Sequence, residues 1–102
     1  MTRVESANER ARRLAAKEER LTREQTDAAA EERCEAAEAA NELAEAEHDP
    51  STSAEEIAKR QRSVDSHRHA EATHQKAARL HQDAADLHHT HERHTEQKNT
   101  DK

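Results

Sequence analysis

Histidine recurs with a period of seven in the second half of this sequence, at His67, His74, His81 and His88. The segment 67–94 divides into four heptads, HRHAEAT, HQKAARL, HQDAADL and HHTHERH, and each of them opens on histidine. Imidazole is a common ligand of Zn, Ni and Cu, and it titrates closer to neutral pH than any other unperturbed side chain. The repeat therefore indicates two possible chemistries, metal binding and a response to pH.

The densest group of metal-ligating residues is His88, His91, His94 and Glu92. On a helix these residues share one stripe, since positions three or four apart are neighbours. We predict this group as a candidate site for Zn, Ni or Cu in which two of the histidines chelate one ion. Three ligands from one straight helix rarely reach a single tetrahedral centre. We favour the simpler interpretation, a helix that tolerates histidine at half-buried flanks and holds no cofactor, and metal binding by this group is the alternative.

Other motifs carry less chemistry. Glu45 with His48 and Glu71 with His74 have the Glu-x-x-His spacing of di-metal helical bundles, but the two pairs lie too far apart along a hairpin to act together. Cys34 is the single cysteine, so no internal disulfide is possible, and we expect it to fill the core. Glycine is absent, so no phosphate loop exists, and no oxyanion-hole motif is visible. An enzyme is not expected.

Two of the heptads, 74–80 and 81–87, share the pattern His-x-x-Ala-Ala-x-Leu. This unit resembles the Ala/His heptads of small uncharacterised bacterial helical proteins. The resemblance is limited to residues 67–94, and the first and last heptads there lack the leucine. It implies a helical bundle and implies no activity.

The composition predicts helices to position these residues. The chain has 102 residues with no glycine, no aromatic residue and one proline, so tight turns and strands are disfavoured. Ala, Glu, Arg, Gln, Lys and Leu dominate, which is typical of long helices and coiled coils. A charged fraction of 39% and a mean hydropathy of −1.45 also fit a partly disordered chain that folds on a partner. The fold class that we predict is all-α.

The single hairpin that we predict over residues 1–102 has its turn at the only proline. Helix 1 is expected over about 2–47, the turn over 48–52, helix 2 over about 53–97, and a frayed tail over 98–102. Three S/T-x-x-E capping boxes mark helix starts, namely Thr2 to Glu5, Ser6 to Glu9, and Ser53 to Glu56.

The register of this antiparallel coiled coil is predicted from pairs whose residue numbers sum to 101. They are Leu14 with Leu87, Leu21 with Leu80, Ala37 with Val64, and Ala44 with Ile57. The heptad seam slips between Ala28 and Ala37, and again between Val64 and Thr73. Glu18 and Gln25 are polar residues within the seam, facing Ala84 and Ala77, and we expect them to snorkel or to form hydrogen bonds that specify register.

The flank of this seam predicts an interaction face of small residues and histidines. It comprises Ala15, Thr22, Ala29 and Ala36 of helix 1 with His67, His74, His81 and His88 of helix 2. We expect this face to form a homodimer, giving a four-helix bundle. The basic stretch 3–23 of one first helix would then meet the acidic stretch 24–49 of the other. Dimer affinity is expected to fall as the pH drops from about 7.5 to 5.5.

These observations favour a non-enzymatic structural or interaction protein, a self-associating hairpin that docks a partner protein whose identity the sequence does not give. The alternative is a histidine-rich protein that binds Zn, Ni or Cu or responds to pH. A net charge of −6 and the absence of stacking aromatics disfavour nucleic acid. No apolar run suits a membrane span or a signal peptide, and a lone cysteine fits a reducing compartment, so a cytoplasmic location is expected.

Overall fold

The computed structural model describes residues 5–100, with side chains described over residues 5–92. Two helices account for nearly all of this chain, α1 over Ala7–His48 and α2 over Ala54–Thr100. They run antiparallel, and the prediction of an all-α helical hairpin is confirmed. Within the described residues neither helix contains a stretch apolar enough to cross a membrane.

Serine side chains cap both helices where the sequence predicts capping boxes. The backbone N–H of Glu9 donates to Ser6 Oγ, and that of Glu56 donates to Ser53 Oγ, each at 3.1 Å. These bonds satisfy N–H groups that have no partner inside the helix, which fixes where each helix begins. The third predicted box, from Thr2 to Glu5, begins outside the described residues.

The turn between the helices is built around Asp49. Both the backbone N–H and the hydroxyl of Ser51 donate to Asp49 Oδ1, at 2.9 and 2.7 Å. These hydrogen bonds, that of the hydroxyl first, hold the pKa of Asp49 below its usual range. Pro50 occupies the next position, where its fixed φ suits a turn and its missing N–H costs no helical hydrogen bond. α1 therefore stops at His48, and α2 continues to Thr100, into the expected tail.

Contacts divide the chain into two compact units, each containing a piece of both helices. Unit 1 takes in Met1–Glu24 with Ala77–Lys102, and unit 2 is Gln25–Lys76. The core of unit 2 is a cluster of Ala39, Leu43 and Val64, against which Ala40 and Ile57 pack. The buried apolar residues of unit 1 are alanines, namely Ala11, Ala15 and Ala85.

The α1 seam follows one unbroken heptad. Buried or half-buried residues recur every seven positions at Ala11, Glu18, Gln25, Glu32, Ala39 and Ala46. The predicted slip between Ala28 and Ala37 is therefore wrong, and Ala37 and Ala44, which were expected to pair with α2, are exposed. The heptad can continue unbroken because Glu18, Gln25 and Glu32 form hydrogen bonds with side chains of α2. These polar residues therefore need not turn away from the seam.

The α2 seam lies one residue away from the predicted one. The expected seam residues Leu80 and Leu87 are 60% and 70% exposed, so their predicted pairing with Leu21 and Leu14 is wrong. One residue corresponds to a rotation of about 100° around the helix axis. The residues turned toward α1 are instead the heptad histidines, alternating with a second series made up of Val64, Glu71, Ala78, Ala85 and Glu92. The predicted slip between Val64 and Thr73 is also wrong.

Candidate functional site

Three contacts of one kind join the helices at seven-residue intervals. In each, Nδ1 of a heptad histidine on α2 meets an oxygen-bearing side chain on α1. The pairs are His67 with Glu32 at 2.8 Å, His74 with Gln25 at 2.7 Å, and His81 with Glu18 at 2.5 Å. We call these three contacts the histidine series. The residue numbers of each pair sum to 99, so both helices keep the same period through the series.

The histidine series explains the polar residues of the α1 seam. Half-buried carboxylates and amides need hydrogen-bond donors, because an unpaired polar group away from water costs free energy. The expectation that Glu18 and Gln25 form hydrogen bonds within the seam is confirmed, but they face His81 and His74 rather than the predicted Ala84 and Ala77. Leucines at these places on α2 would have left both groups without a donor.

His67 differs from the other members of the series because a second carboxylate reaches it. Its Nδ1 lies 2.8 Å from Glu32 Oε2 and 3.3 Å from Glu35 Oε2. The hydrogen bond with Glu32, together with the charges of both carboxylates, raises the pKa of His67 above its usual value. One ligand atom from each of these three half-buried residues lies within 4.8 Å of the others. We call Glu32, Glu35 and His67 the His67 cluster.

A further histidine, His89, forms a separate charged cluster in unit 1. Its Nε2 lies 2.5 Å from Glu19 Oε1, and its Nδ1 lies 3.6 Å from Glu92 Oε2. The hydrogen bond with Glu19, and secondly the contact with Glu92, raises the pKa of His89. Arg12 also binds Glu92, at 2.6 Å. Sequence reasoning missed His89 because it stands outside the period of seven, although Glu92, three residues further on, marks it as a neighbour of a carboxylate.

The structure describes part of the predicted metal group at 88–94. His88 is half-buried and His91 exposed, and both line a shallow groove with Ala11 and Leu14. Glu92 is already engaged by Arg12 and His89. The side chain of His94 lies outside the described residues. Over residues 5–92 the group of three His, Cys, Asp or Glu side chains spaced to hold one ion is the His67 cluster.

The predicted interaction face lies between the two helices of one chain. Ala15, Ala29 and Ala36 are buried, and the half-buried Thr22 donates its hydroxyl to the Glu18 carbonyl at 2.9 Å. The four histidines of the face are half-buried, and three of them form the histidine series. This set is therefore a part of the hairpin itself, which corrects the expectation that it stands free for a second chain. The prediction of a free face is wrong for the same reason as the predicted α2 seam, because α2 is rotated by one residue from the expected register.

The remaining candidate residues are engaged elsewhere or face solvent. A ring N–H of His48 donates to the Ala44 carbonyl at 2.7 Å, and Glu71 accepts from Arg33 at 2.9 Å. Neither Glu-x-x-His pair is thus arranged as a ligand pair. Cys34 is a free, exposed thiol, so its expected place in the core is wrong.

An apolar stripe remains on the outer surface of α2. Leu80 and Leu87 are one heptad apart and are the large hydrophobic side chains that the described chain leaves exposed. Ala77 and Ala84 lie beside them on the same stripe and are half-buried. Single exposed leucines are ordinary on a protein surface. Two at this spacing have the pattern of a coiled-coil seam without its partner. We call Leu80, Leu87, Ala77 and Ala84 the leucine stripe.

The sequence matches no protein-family model, and comparisons with curated proteins and with solved structures find no significant match.

Proposed function

We propose that this protein is a non-enzymatic interaction protein, a helical hairpin that self-associates through the leucine stripe. The observation that carries the proposal is the exposure of Leu80 and Leu87, at 60% and 70%, on one stripe of α2. Removing such side chains from water favours association by roughly 25 cal/mol for each Å² of apolar surface. The described hairpin core is made largely of alanine, and Leu80 and Leu87 are the large apolar side chains that the described residues leave exposed for burial against a partner.

The partner that fits this stripe is a second copy of the chain. In an antiparallel pairing of two α2 helices, Leu80 of each copy packs against the small Ala77 of the other. The same pairing brings Lys76 of one copy beside Asp83 of the other, twice across the two-fold axis. Such exposed ion pairs contribute little affinity but select the orientation. The free thiol of Cys34 is consistent with a reducing compartment such as the cytoplasm.

Sedimentation equilibrium tests the proposal. The wild-type chain should sediment as a dimer at tens of micromolar, and Leu80→Gln/Leu87→Gln should sediment as a monomer with unchanged helical circular dichroism. The matched control is Arg79→Gln/Asp86→Gln, two exposed positions at the same spacing on α2, which should remain dimeric. A monomeric wild type, or a dimer that the leucine substitutions leave intact, contradicts the proposal.

Exchanging the charges of Lys76 and Asp83 tests whether the partner is a second copy in the antiparallel orientation. Lys76→Asp and Asp83→Lys should each weaken the dimer, because each places like charges opposite one another. The double variant restores the opposite-charge pairing and should recover the dimer. Failure of the double variant to recover would exclude this antiparallel arrangement even if the leucines prove necessary.

A second candidate function, a response to pH, is favoured by the histidine contacts with carboxylates. His67 and His89 each lie between two glutamates, so protonation adds a positive charge where negative charges already face it. Acid is therefore expected to tighten the contact between α1 and α2 within each unit. The change of stability with pH, argued in the Discussion, tests this candidate.

A further inference from the structure

The His67 cluster brings together three metal-ligating side chains from both helices of unit 2. Glu32 and Glu35 are three residues apart on α1, so they share one face, and His67 approaches them from α2. Ligands on two helices can approach one ion from different sides, which three ligands on a single straight helix rarely do. All three residues are half-buried, so their side chains are partly shielded from water while the site stays open to an entering ion.

We propose that Glu32, Glu35 and His67 bind one divalent transition-metal ion, with Zn²⁺ the best fit to this donor set. Zinc takes imidazole nitrogen and carboxylate oxygen at about 2.0–2.2 Å, and three protein ligands with water in the fourth position form one of its standard arrangements. The site is separate from the predicted group at 88–94. It does not depend on self-association through the leucine stripe.

The spacing of the donor atoms suits a tetrahedral ion. Two ligands at about 2.1 Å from a tetrahedral centre are about 3.4 Å from each other. Nδ1 of His67 lies 2.8 Å from the Glu32 oxygen and 3.3 Å from the Glu35 oxygen, and the whole set falls within 4.8 Å. Small side-chain movements therefore suffice to seat the ion, and the helices need not move apart.

The charge of the cluster also matches a divalent cation. Two carboxylates with a neutral imidazole carry two negative charges, which one divalent ion neutralises. Without an ion, Nδ1 must carry a proton to form its hydrogen bond with Glu32. Metal must displace that proton to bind, so the affinity of the site should rise with pH.

The other members of the histidine series show why the site is local. One heptad along α2, His74 faces the neutral amide of Gln25. Glu35 lies three residues after Glu32. The residue three after Gln25 is Ala28, and the residue three after Glu18 is Leu21. Each of these neighbours therefore has a histidine in the same seam position but lacks the second carboxylate. His74 is accordingly a matched control, with the same backbone, a similar burial and a weaker ligand set.

The test uses the full chain with His88, His91 and His94 replaced by Gln, so that the other histidine-rich segment does not compete. Isothermal titration with Zn²⁺ should give one ion per chain with micromolar or tighter affinity. Co²⁺ in its place should show visible d–d absorption of a tetrahedral complex. In this background His67→Gln and Glu35→Gln should each weaken Zn²⁺ binding at least tenfold, whereas His74→Gln should change it less than twofold.

The outcomes are distinct because each variant is first shown to keep its helical circular dichroism. Glu35 is half-buried with a side chain that is 43% exposed, against 32% for His67, so Glu35→Gln is the variant expected to disturb folding less. Zn²⁺ affinity that His67→Gln and Glu35→Gln leave unchanged would overturn the proposal. So would loss of all binding on replacing residues 88, 91 and 94, which would assign the metal to that segment.

Discussion

Nδ1 of His81 lies 2.5 Å from Glu18 Oε2, and this contact holds the two helices of unit 1 where a coiled coil ordinarily places two leucines. His74 and Gln25 form the equivalent contact in unit 2. The hairpin thus combines an alanine-rich interior with hydrogen bonds between half-buried polar side chains. Its stability depends on both partners of each pair, because removing one leaves the other without its hydrogen bond.

Replacing a complete pair by leucines should stabilise the hairpin. Glu18→Leu/His81→Leu removes both polar groups and adds two apolar side chains to the seam, which should raise the free energy of unfolding by about 1–2 kcal/mol. Single substitutions should behave differently, since Glu18→Leu leaves His81 without its acceptor. Thermal melts by circular dichroism give the comparison. A double variant that melts below the wild type would show that this pair does not lie in the seam.

Stability should rise as the pH falls through the histidine range. The pKa values of His67 and His89 are raised in the folded chain, so their stabilising contribution is complete below the unfolded value of about 6.5 and is lost as the pH rises through the folded values. The groups facing His67 are Glu32 and Glu35, and those facing His89 are Glu19 and Glu92, the latter also bound to Arg12.

Urea unfolding at pH 8, 7 and 6, with chelator present to exclude metal, measures this dependence. The wild type should be more stable at pH 6 than at pH 8, and His67→Gln/His89→Gln should flatten the difference. His69→Gln, at an exposed position on α2, is the control and should keep the wild-type slope. Greater stability at pH 8 would mean that desolvation of the imidazoles outweighs their attraction to the glutamates.

The fold could be predicted from the sequence further than the site could. Absence of glycine, one proline and two serine caps are local signals, and they fix two helices and a turn whatever the packing. Local signals do not determine the rotation of α2 about its axis. That rotation depends on which side chains of α1 need hydrogen-bond donors from α2. A rule that assigns the largest apolar residues to the seam selects Leu80, whereas the polar residues Glu18, Gln25 and Glu32 select the histidines.

The His67 cluster could have been anticipated from the same reasoning. Once Glu32 is paired with His67, the second carboxylate follows from the helical spacing of Glu35, three residues on. The sequence shows this pairing as a common period of seven. His67, His74 and His81 recur at that spacing on α2, and Glu18, Gln25 and Glu32 recur at the same spacing on α1. This common period is hard to recognise because Ala77, Leu80, Ala84 and Leu87 form a heptad pattern of their own on the neighbouring stripe.

The Ser53 cap should matter more than an ordinary surface serine. Ser53→Ala removes the acceptor of the Glu56 N–H and should lower the free energy of unfolding by about 1 kcal/mol. Ser63→Ala is the same chemical change at an exposed position inside α2, where alanine has the higher helix propensity, and should stabilise slightly. Chemical denaturation of the two variants compares them directly, and equal effects would show that the cap does not define the start of α2.

Val64 and Leu80 should respond in opposite ways to truncation. Val64 is 1% exposed in the core of unit 2, so Val64→Ala should lower the free energy of unfolding by about 2 kcal/mol. Leu80 is 60% exposed, so Leu80→Ala should lower the free energy of unfolding of the monomer by less than about 0.5 kcal/mol. This small effect is expected even though Leu80→Ala removes a larger apolar group than Val64→Ala. Urea unfolding at the lowest practical protein concentration keeps self-association out of the comparison. A large cost for Leu80→Ala under these conditions would return Leu80 to the seam between α1 and α2 and would remove the leucine stripe as a surface for a second copy.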